Sequence, residues 1–486
     1  MSAPPDDRKA EGPGGLNRPG QKTADPRTIA MIVASALFMQ NLDNAVIGTV
    51  LPAMARDLGQ DPVHLSVAIT SYLVALCVFI PVSGWIADRF GARRVFMLAI
   101  FVFALSSALV GLSQGLASLV AARVLQGVGG AMMVPVGRLL LLRRIRKDEL
   151  ITAMTWLTMP ALLGPVFGPP LGGLLADAVS WRAVFWINVP VGLLGLILVW
   201  RFIPEVEAED AGPLDLRGLL LWGFALVLLM AVAETLGRGL VPFYVTLAAG
   251  LGGGACAWLA IRHSRRVARP AVDLSLLSLR SFGMSMGAGT LFRAGASAVP
   301  FLLPLKLQLV FGLSAGTSGL VTFASALGAF AMKPLVRPLL KRFGFRAVLS
   351  VNCIAATLGV MVCATFTPAW PLVAIFAVLA LGGLTRSLHF TALNAMSFAD
   401  VPPAKFAAAT AMSGTMQQLG LALGVVVGSM SLEASMAFSG RGAPALTDFS
   451  AGFLVAGLIV LASLPATLRL PPETGANVSG HRLPPS

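Results

Sequence analysis

Fourteen apolar stretches, each long enough to cross a bilayer, set the first limit on what this chain can fold into. They fall at about 29–51, 65–87, 95–113, 116–142, 151–176, 183–203, 216–236, 241–261, 282–308, 314–340, 346–366, 370–396, 404–431 and 448–468. A helix needs about 20 apolar residues to span the hydrocarbon layer. A transmembrane barrel would instead show alternating segments of about ten residues, which these unbroken runs exclude. Charged residues make up only 12% of the 486-residue chain, about half the share found in soluble domains. So little polar surface does not cover a water-soluble globule, which argues against a soluble enzyme, a nucleic-acid binder and a disordered scaffold. The expected fold class is an all-α integral membrane protein of fourteen transmembrane helices.

The formal charge of +14 invites a nucleic-acid reading, but its distribution points elsewhere. If the amino terminus is cytoplasmic, 27 of the 36 Lys and Arg fall on the inner side and 5 on the outer side. That asymmetry follows the positive-inside rule and places both termini in the cytoplasm. Residues 1–27, rich in Pro, Gly and charge, read as a disordered tail. Cys77, Cys256, Cys353 and Cys363 each lie inside an apolar run with no paired spacing. They read as free thiols serving as small apolar residues, with neither a disulfide frame nor a metal site.

An internal echo organises the chain. Arg89-Phe90-Gly91-x-Arg93 returns as Arg342-Phe343-Gly344-x-Arg346, 253 residues later. Near the same offset Leu51-Pro52 returns as Leu303-Pro304, and Gly59 as Gly312. Spans 1–6 and 9–14 therefore read as related halves with spans 7 and 8 between them, a known transporter architecture. The expected organisation is a tail (1–27), an N-terminal six-helix bundle (28–203), two additional helices with their linker (204–281), a C-terminal six-helix bundle (282–470) and a cytoplasmic tail (471–486).

Polar residues inside the runs are the candidates for function. Gln40, Asp43 and Asn44 share one face of the first span. A carboxylate at membrane depth costs at least about 2.5 kcal/mol on insertion scales, so Asp43 should face the bundle interior and exchange protons there. Asp43 is the one acidic residue deep in a span, since Glu234 sits near the end of the seventh. Arg123 and Gln126 in the fourth span form a polar stripe with Gly127 and Gly130, and Arg123 is the natural partner or competitor of Asp43, unless it snorkels to an interface. The fifth span runs Pro160 to Gly173 with eight Gly or Pro in fourteen residues, including Gly164, Pro165, Gly168, Pro169, Gly172 and Gly173. It reads as a bending or sealing element, with simple helix packing as the rival reading. The loop from Gly84 to Arg94 holds Asp88, Arg89 and Arg93 around Gly91, which suits a tight turn.

These residues resemble the motifs of the major facilitator superfamily, in its fourteen-helix drug:proton antiporter branch. The match lies in Leu42-Asp43-x-x-Val46 with Leu51-Pro52, the Gly84–Arg94 loop, Arg123-x-x-Gln126-Gly127-x-Gly129, the Gly164–Gly173 segment, and Trp181-Arg182-x-x-Phe185-x-Ile187-Asn188-Val189-Pro190, in that order. The resemblance covers about residues 28–470. It implies the major facilitator fold, two six-helix bundles plus two inserted helices, with alternating access and export against a proton gradient. It also implies Asp43 as the coupling carboxylate, Arg123 as its modulator, and Asp88 with Arg89 as a cytoplasmic latch.

The sequence departs from that pattern at several places. Asn44 stands where a hydroxyl residue is common, Ala92 where a basic residue is usual, and Gln417-Gln418 where Arg-Gln often precedes the glycines of the thirteenth span. Arg293 lies within the ninth span, and Arg386, His389 and Asn394 within the twelfth. Intramembrane cations point to an anionic group entering the cavity, unless the residues of the twelfth span cap helix ends near the cytoplasm. Gln40, Asn44, Gln126, Arg293, Arg386, His389, Asn394 and Gln417 are the candidate substrate-cavity residues.

No lysine sits in Gly-Lys-Ser/Thr, the nearest approach being Gln21-Lys22-Thr23. No nucleotide-binding loop or other cofactor is therefore expected, and the proton gradient is the energy source. The expected function is a proton-coupled exporter of small molecules, a multidrug efflux antiporter in a bacterial-type inner membrane. Its partners would be a small-molecule substrate, protons and the bilayer; no nucleic acid is expected, the chain would be a monomer, and a periplasmic adaptor is left open. The alternative is a dedicated exporter of an organic anion or metal chelate. A transport-dead sensor or intramembrane enzyme is remote, because the four histidines are scattered.

Overall fold

The computed structural model describes residues 26–142, 150–204, 212–236, 241–402 and 405–481. Among these residues all regular structure is helical. The first four spans are α1 (Pro26–Asp57), α2 (Val67–Phe90), α3 (Ala92–Leu112) and α4 (Leu116–Leu142). The fifth is α5 (Leu150–Ala178), and the sixth is the pair α6 (Trp181–Trp186) and α7 (Asn188–Phe202). The seventh and eighth are α8 (Leu216–Thr235) and α9 (Phe243–Ser264). The ninth joins α10 (Arg280–Ala296) to α11 (Val299–Leu309). The tenth and eleventh are merged as α12 (Ala315–Val362), which reverses at Gly344, where φ is 72° and ψ 170°. Then come α13 (Leu372–Ser397), α14 (Phe406–Phe438) and the last span, α15 (Leu446–Leu461) with α16 (Leu464–Leu468). Among the described residues all fourteen apolar runs thus fall on helices, and twelve helical segments are long and apolar enough to cross a membrane. Most of the tail read at 1–27 lies outside the described residues. The far tail adds α17 (Ala476–Ser479), with His481 Nδ1 3.0 Å from the Lys341 carbonyl oxygen.

Three corrections apply to the run boundaries. The sixth run is broken at Ile187, the ninth at Ser297–Ala298 and the last at Ala462–Ser463. The four prolines of α5 do not end that helix, which continues from Leu150 to Ala178; in a bundle, neighbouring helices tolerate prolines that a solvated helix would not.

The echo in the sequence is an echo in backbone geometry. Gly91 (φ 88°) links α2 to α3 and Gly344 (φ 72°) makes the matching turn; Gly59 (φ 62°) and Gly312 (φ 68°) repeat the pattern. Each of these turns needs a left-handed residue, which glycine supplies without steric strain.

Aromatic cores fill both halves: Tyr72, Phe96, Phe103 and Phe185 in the first, Phe292, Phe301, Phe345 and Phe449 in the second, all fully or almost fully buried. The outside is apolar too, with Leu193, Ile197, Trp200, Leu251, Trp258 and Val373 all exposed, as a surface solvated by lipid requires. Only 17% of the residues in the most apolar stretch of α8, and likewise of α9, are buried. These two helices pack on each other, and α8 packs against α2. Their shared end is pinned by Asp215, which caps α8 through Gly218 N (2.9 Å), accepts from Ala271 N (2.9 Å) and pairs with His263 (2.6 Å). Partial burial would raise the Asp215 pKa, but these bonds outweigh it and hold the carboxyl below its ordinary value. Trp85 Nε1 of α2 donates to the Gly212 carbonyl (3.0 Å) just ahead of this joint.

The two halves meet at the face that carries the C-terminal end of α1, here the distal face. Gln308 of α11 donates to the Thr49 carbonyl of α1 (2.8 Å). Asp177, at the end of α5, accepts from Ala315 N (3.2 Å) and Gly316 N (2.7 Å), so one half caps the first turn of a helix from the other. Deeper in, Cys77 of α2 lies 3.6 Å from the Thr415 carbonyl of α14. All four cysteines are free thiols.

Candidate functional site

Asp43 sits about midway along α1 and is 2% exposed. A charge there must be paired, and five helices converge to do it. Arg123 Nη1 of α4 donates to Asp43 Oδ2 at 2.7 Å, with both side chains fully buried. Gln126 Nε2, one turn along α4, donates to Asp43 Oδ1 at 3.0 Å, and Asn188 Nδ2, at the start of α7, donates to the same oxygen at 3.0 Å. Ser107 Oγ of α3 accepts from both amides, at 2.8 Å each. Arg123 Nη1 also donates to Gln126 Oε1. Arg123 Nε reaches the Ala68 carbonyl of α2 (3.0 Å), and its guanidinium carbon lies 4.4 Å from the centre of the Tyr72 ring. Gln40 Nε2 donates to the Tyr72 hydroxyl at 3.4 Å.

This arrangement can store a proton-dependent choice. With Asp43 ionised, every acceptor lone pair facing the amides and Arg123 is used. Protonation would remove the counter-charge of Arg123 and turn one oxygen into a donor facing donors. Breaking a buried pair in this way costs about 3–5 kcal/mol, enough to rearrange the packing of α1 on its neighbours. Those neighbours are close. Gly164 of α5 has the backbone of Asn41 and Leu42 against it and Gly168 has Ala45, so that a side chain at either would collide. Thr49, less than two turns beyond Asp43, is the residue whose carbonyl holds the distal contact.

The structure brings Gln40, Asp43, Arg123 and Gln126 together; Asn44 is half-buried beside them on α1. Asn188, Ser107 and Tyr72 belong to the same network and were not among the sequence candidates. Asn188 had a signal, its place in the Ile187–Pro190 signature at a helix break; Ser107 and Tyr72 had none.

The glycines of α5 form two close contacts. Gly164, Gly168 and Gly172 face Leu42, Ala45 and Val46 of α1, while Gly173 meets the Ala315 carbonyl of α12, and Gly319 of α12 meets the Pro169 carbonyl. Pro165 is exposed. The span thus packs in the seam between the halves.

In the loop after α2, Gly91 makes the turn, whereas a side chain at Gly84 would meet nothing within 4 Å. Asp88 is half-buried and Arg89 exposed. Arg93 Nη2 donates to the Trp200 carbonyl at the end of α7 (2.6 Å), neutralising a helix C-terminus.

The remaining candidates lie in the second half. Arg293 of α10 is 3% exposed and its Nη2 donates to Asn394 Oδ1 of α13 at 3.2 Å. His389 is fully buried, its ring stacked on Phe292 at 3.5 Å and 10°. Both His389 and Asn394 are therefore engaged inside the bundle rather than capping helix ends. Arg386 turns to Ser325 Oγ of α12 (3.1 Å), beside a small cavity of about 30 Å³ between α10, α12 and α13. Gln417 of α14 donates to Ser413 within its own helix (3.3 Å), apart from the arginine cluster's hydrogen bonds.

Comparison with known proteins gives a consistent picture. The family profile described as Major Facilitator Superfamily matches residues 33–293 and 286–485. The chain is 36% identical over 461 residues to the putative multidrug resistance protein MdtD of Escherichia fergusonii, covering 93% of this chain and 96% of that protein. It is 35% identical over 461 residues to the Escherichia coli protein of the same description, with the same coverage. Among solved structures, the POT family transporter PepTSo superposes with a TM-score of 0.67 at 15% identity, covering 91% of this chain and 99% of that one. A D-xylose-proton symporter gives 0.65 at 16%, covering 92% and 98%. At such identities the solved structures speak for the fold alone.

Proposed function

The chain belongs to the major facilitator superfamily, and from that premise we propose that it is a proton-coupled secondary transporter that exports small molecules by alternating access, a multidrug efflux antiporter. The single observation that carries the reading is the buried Asp43–Arg123 pair at 2.7 Å on α1 and α4, closed in by Gln126, Asn188 and Ser107. Relatives described as putative multidrug resistance proteins support the export sense. The charge bias supports both termini in the cytoplasm of an inner-membrane protein, which makes the distal face the outer one.

In this reading the described conformation is closed at the outer face. A proton arriving from outside neutralises Asp43, Arg123 swings free of it, and α1 shifts against α5 and α11. The seam formed by Gly173, Asp177, Ala315 and Gly319 opens or reseals as the halves rock. Deprotonation toward the cytoplasm restores the pair. The Gly91 turn with Asp88 and Arg89 serves as the cytoplasmic latch, while Gln40, Asn44 and Gln126 line the path that the substrate shares with the pair.

The test uses inverted membrane vesicles energised with an imposed proton gradient and a pH-quenched acridine dye. Adding ethidium should release protons and recover dye fluorescence, and ethidium should accumulate only while the gradient stands. Accumulation that persists after an ionophore collapses the gradient would contradict proton coupling.

A further inference from the structure

The two halves treat buried positive charge differently. In the first, Arg123 has Asp43. In the second, Arg293 is equally buried, yet among the described residues no carboxylate lies within ion-pair distance of it. Its Nη1 is buried without any hydrogen-bond partner. Leaving a guanidinium without a counter-charge costs several kcal/mol, which the neutral partner Asn394 offsets only in part.

The surroundings are shaped for it. A side chain at Gly289 would come within 2.8 Å of Arg293 Nη1, and one at Gly420 within 2.7 Å of its Cβ, so these glycines leave the space that the guanidinium occupies. Its carbon lies 5.3 Å from the centre of the Phe390 ring. Next to it His389 stacks on Phe292. Asn352 Nδ2 lies 3.4 Å from His389 Nδ1; with that amide as donor, Nδ1 accepts and Nε2 carries the hydrogen. That Nε2 is buried with no partner. The two unused donors thus flank one aromatic pair, Phe292 and Phe390, which meet edge to face at 5.7 Å where α10 ends just before the break at Ser297–Ala298. Arg293 stands in the last turn of α10, whose negative dipole end favours the guanidinium but supplies no counter-ion. The far side of the break is α11, whose Gln308 forms the distal contact with α1.

We propose that Arg293, with Asn394 and the Nε2–H of His389, receives a carboxylate carried by the exported molecule. The substrates of this chain then include organic acids with an aromatic or apolar body alongside cations, which rests on the exporter reading above. The carboxylate takes charge-assisted hydrogen bonds from Nη1, and Phe292 and Phe390 face the body of the molecule. Binding supplies the missing counter-charge beside the hinge of the ninth span, so loading the site changes how α11 is held against α1.

The experiment uses the full-length protein in lipid nanodiscs for binding and in proteoliposomes for flux, with phthalate as the acid, phthalamide as its neutral counterpart and ethidium as a cation. Calorimetry should show phthalate binding to the wild type and about tenfold or greater weakening in Arg293→Gln, the effect of losing one charge-assisted contact. Arg293→Lys should retain more of the binding than Arg293→Gln. Gly289→Ala, which keeps the charge but crowds Nη1, should weaken binding without altering the elution profile of the protein, so the test stands even if Arg293→Gln misfolds. Phthalate binding indifferent to Arg293→Gln and Gly289→Ala, or phthalamide binding as tight as phthalate, would overturn the site. If the wild type moved neither phthalate nor ethidium under a proton gradient while Arg293-dependent phthalate binding persisted, the exporter reading would fall and the anion site would stand.

Discussion

A double-mutant cycle on Asp43 and Arg123 probes the energetic core of the site. Asp43→Asn keeps the shape but presents an amide where a carboxylate accepted from Arg123 at 2.7 Å and from Gln126 and Asn188 at 3.0 Å each. One amide oxygen cannot satisfy three donors, and Arg123, fully buried, loses its counter-charge. Stranding one member of a buried pair costs about 3–5 kcal/mol. In thermal terms that is a fall on the order of 10 °C, taking about 2–4 °C per kcal/mol for a unit the size of one half. Arg123→Gln should cost less, because the stranded carboxylate can take up a proton. The double variant should be little worse than the milder single, giving a coupling close to the cost of Asp43→Asn alone, about 3–4 kcal/mol. The assay follows from the structure: Cys77, Cys353 and Cys363 are buried, so a thiol-reactive fluorogenic dye in a Cys256→Ser background reports unfolding. Costs that simply add in the double variant would refute the pairing.

Two further outcomes follow from other contacts. In Gly319→Ala the new methyl presses on the Pro169 carbonyl, and overpacking of about 1–3 kcal/mol corresponds to roughly a five- to hundredfold shift toward the distal-open state. Labelling of Thr49→Cys, at a position now 1% exposed, by an impermeant maleimide should rise accordingly, and unchanged labelling would contradict the seam. At the joint of α8 and α9, Asp215→Asn should lower thermal stability at about pH 6. Because the folded carboxyl sits below its ordinary value of 3.8, its contribution is complete above that value and is lost as the pH falls through the lowered one. The gap between wild type and variant should therefore close in acid; a gap that widened as pH fell would refute the assignment.

The spans were legible because hydrophobic length is a sufficient signal for a membrane crossing, and the left-handed turns at Gly91 and Gly344 were legible because glycine marks them. The break in the ninth span was not read, although Pro300 lies at the first turn of α11. In the site, Asp43 and Arg123 stood out as charges in apolar runs. Ser107 and Tyr72 did not, since a lone hydroxyl in a span commonly bonds its own backbone, as Ser106 beside it does to Val102 (2.7 Å). Arg293, His389 and Asn394 were visible singly. That Arg293 bonds Asn394 and that Gly289 and Gly420 leave room for it depends on how α10, α13 and α14 pack, which periodicity along one helix does not encode.

The central claim, that the charge on Asp43 couples protons to movement, is tested most directly by comparing two fluxes in proteoliposomes containing Asp43→Asn. Uphill ethidium export under an imposed proton gradient should be abolished, while exchange of labelled for unlabelled ethidium without a gradient persists. Uphill export at the wild-type rate would contradict the account.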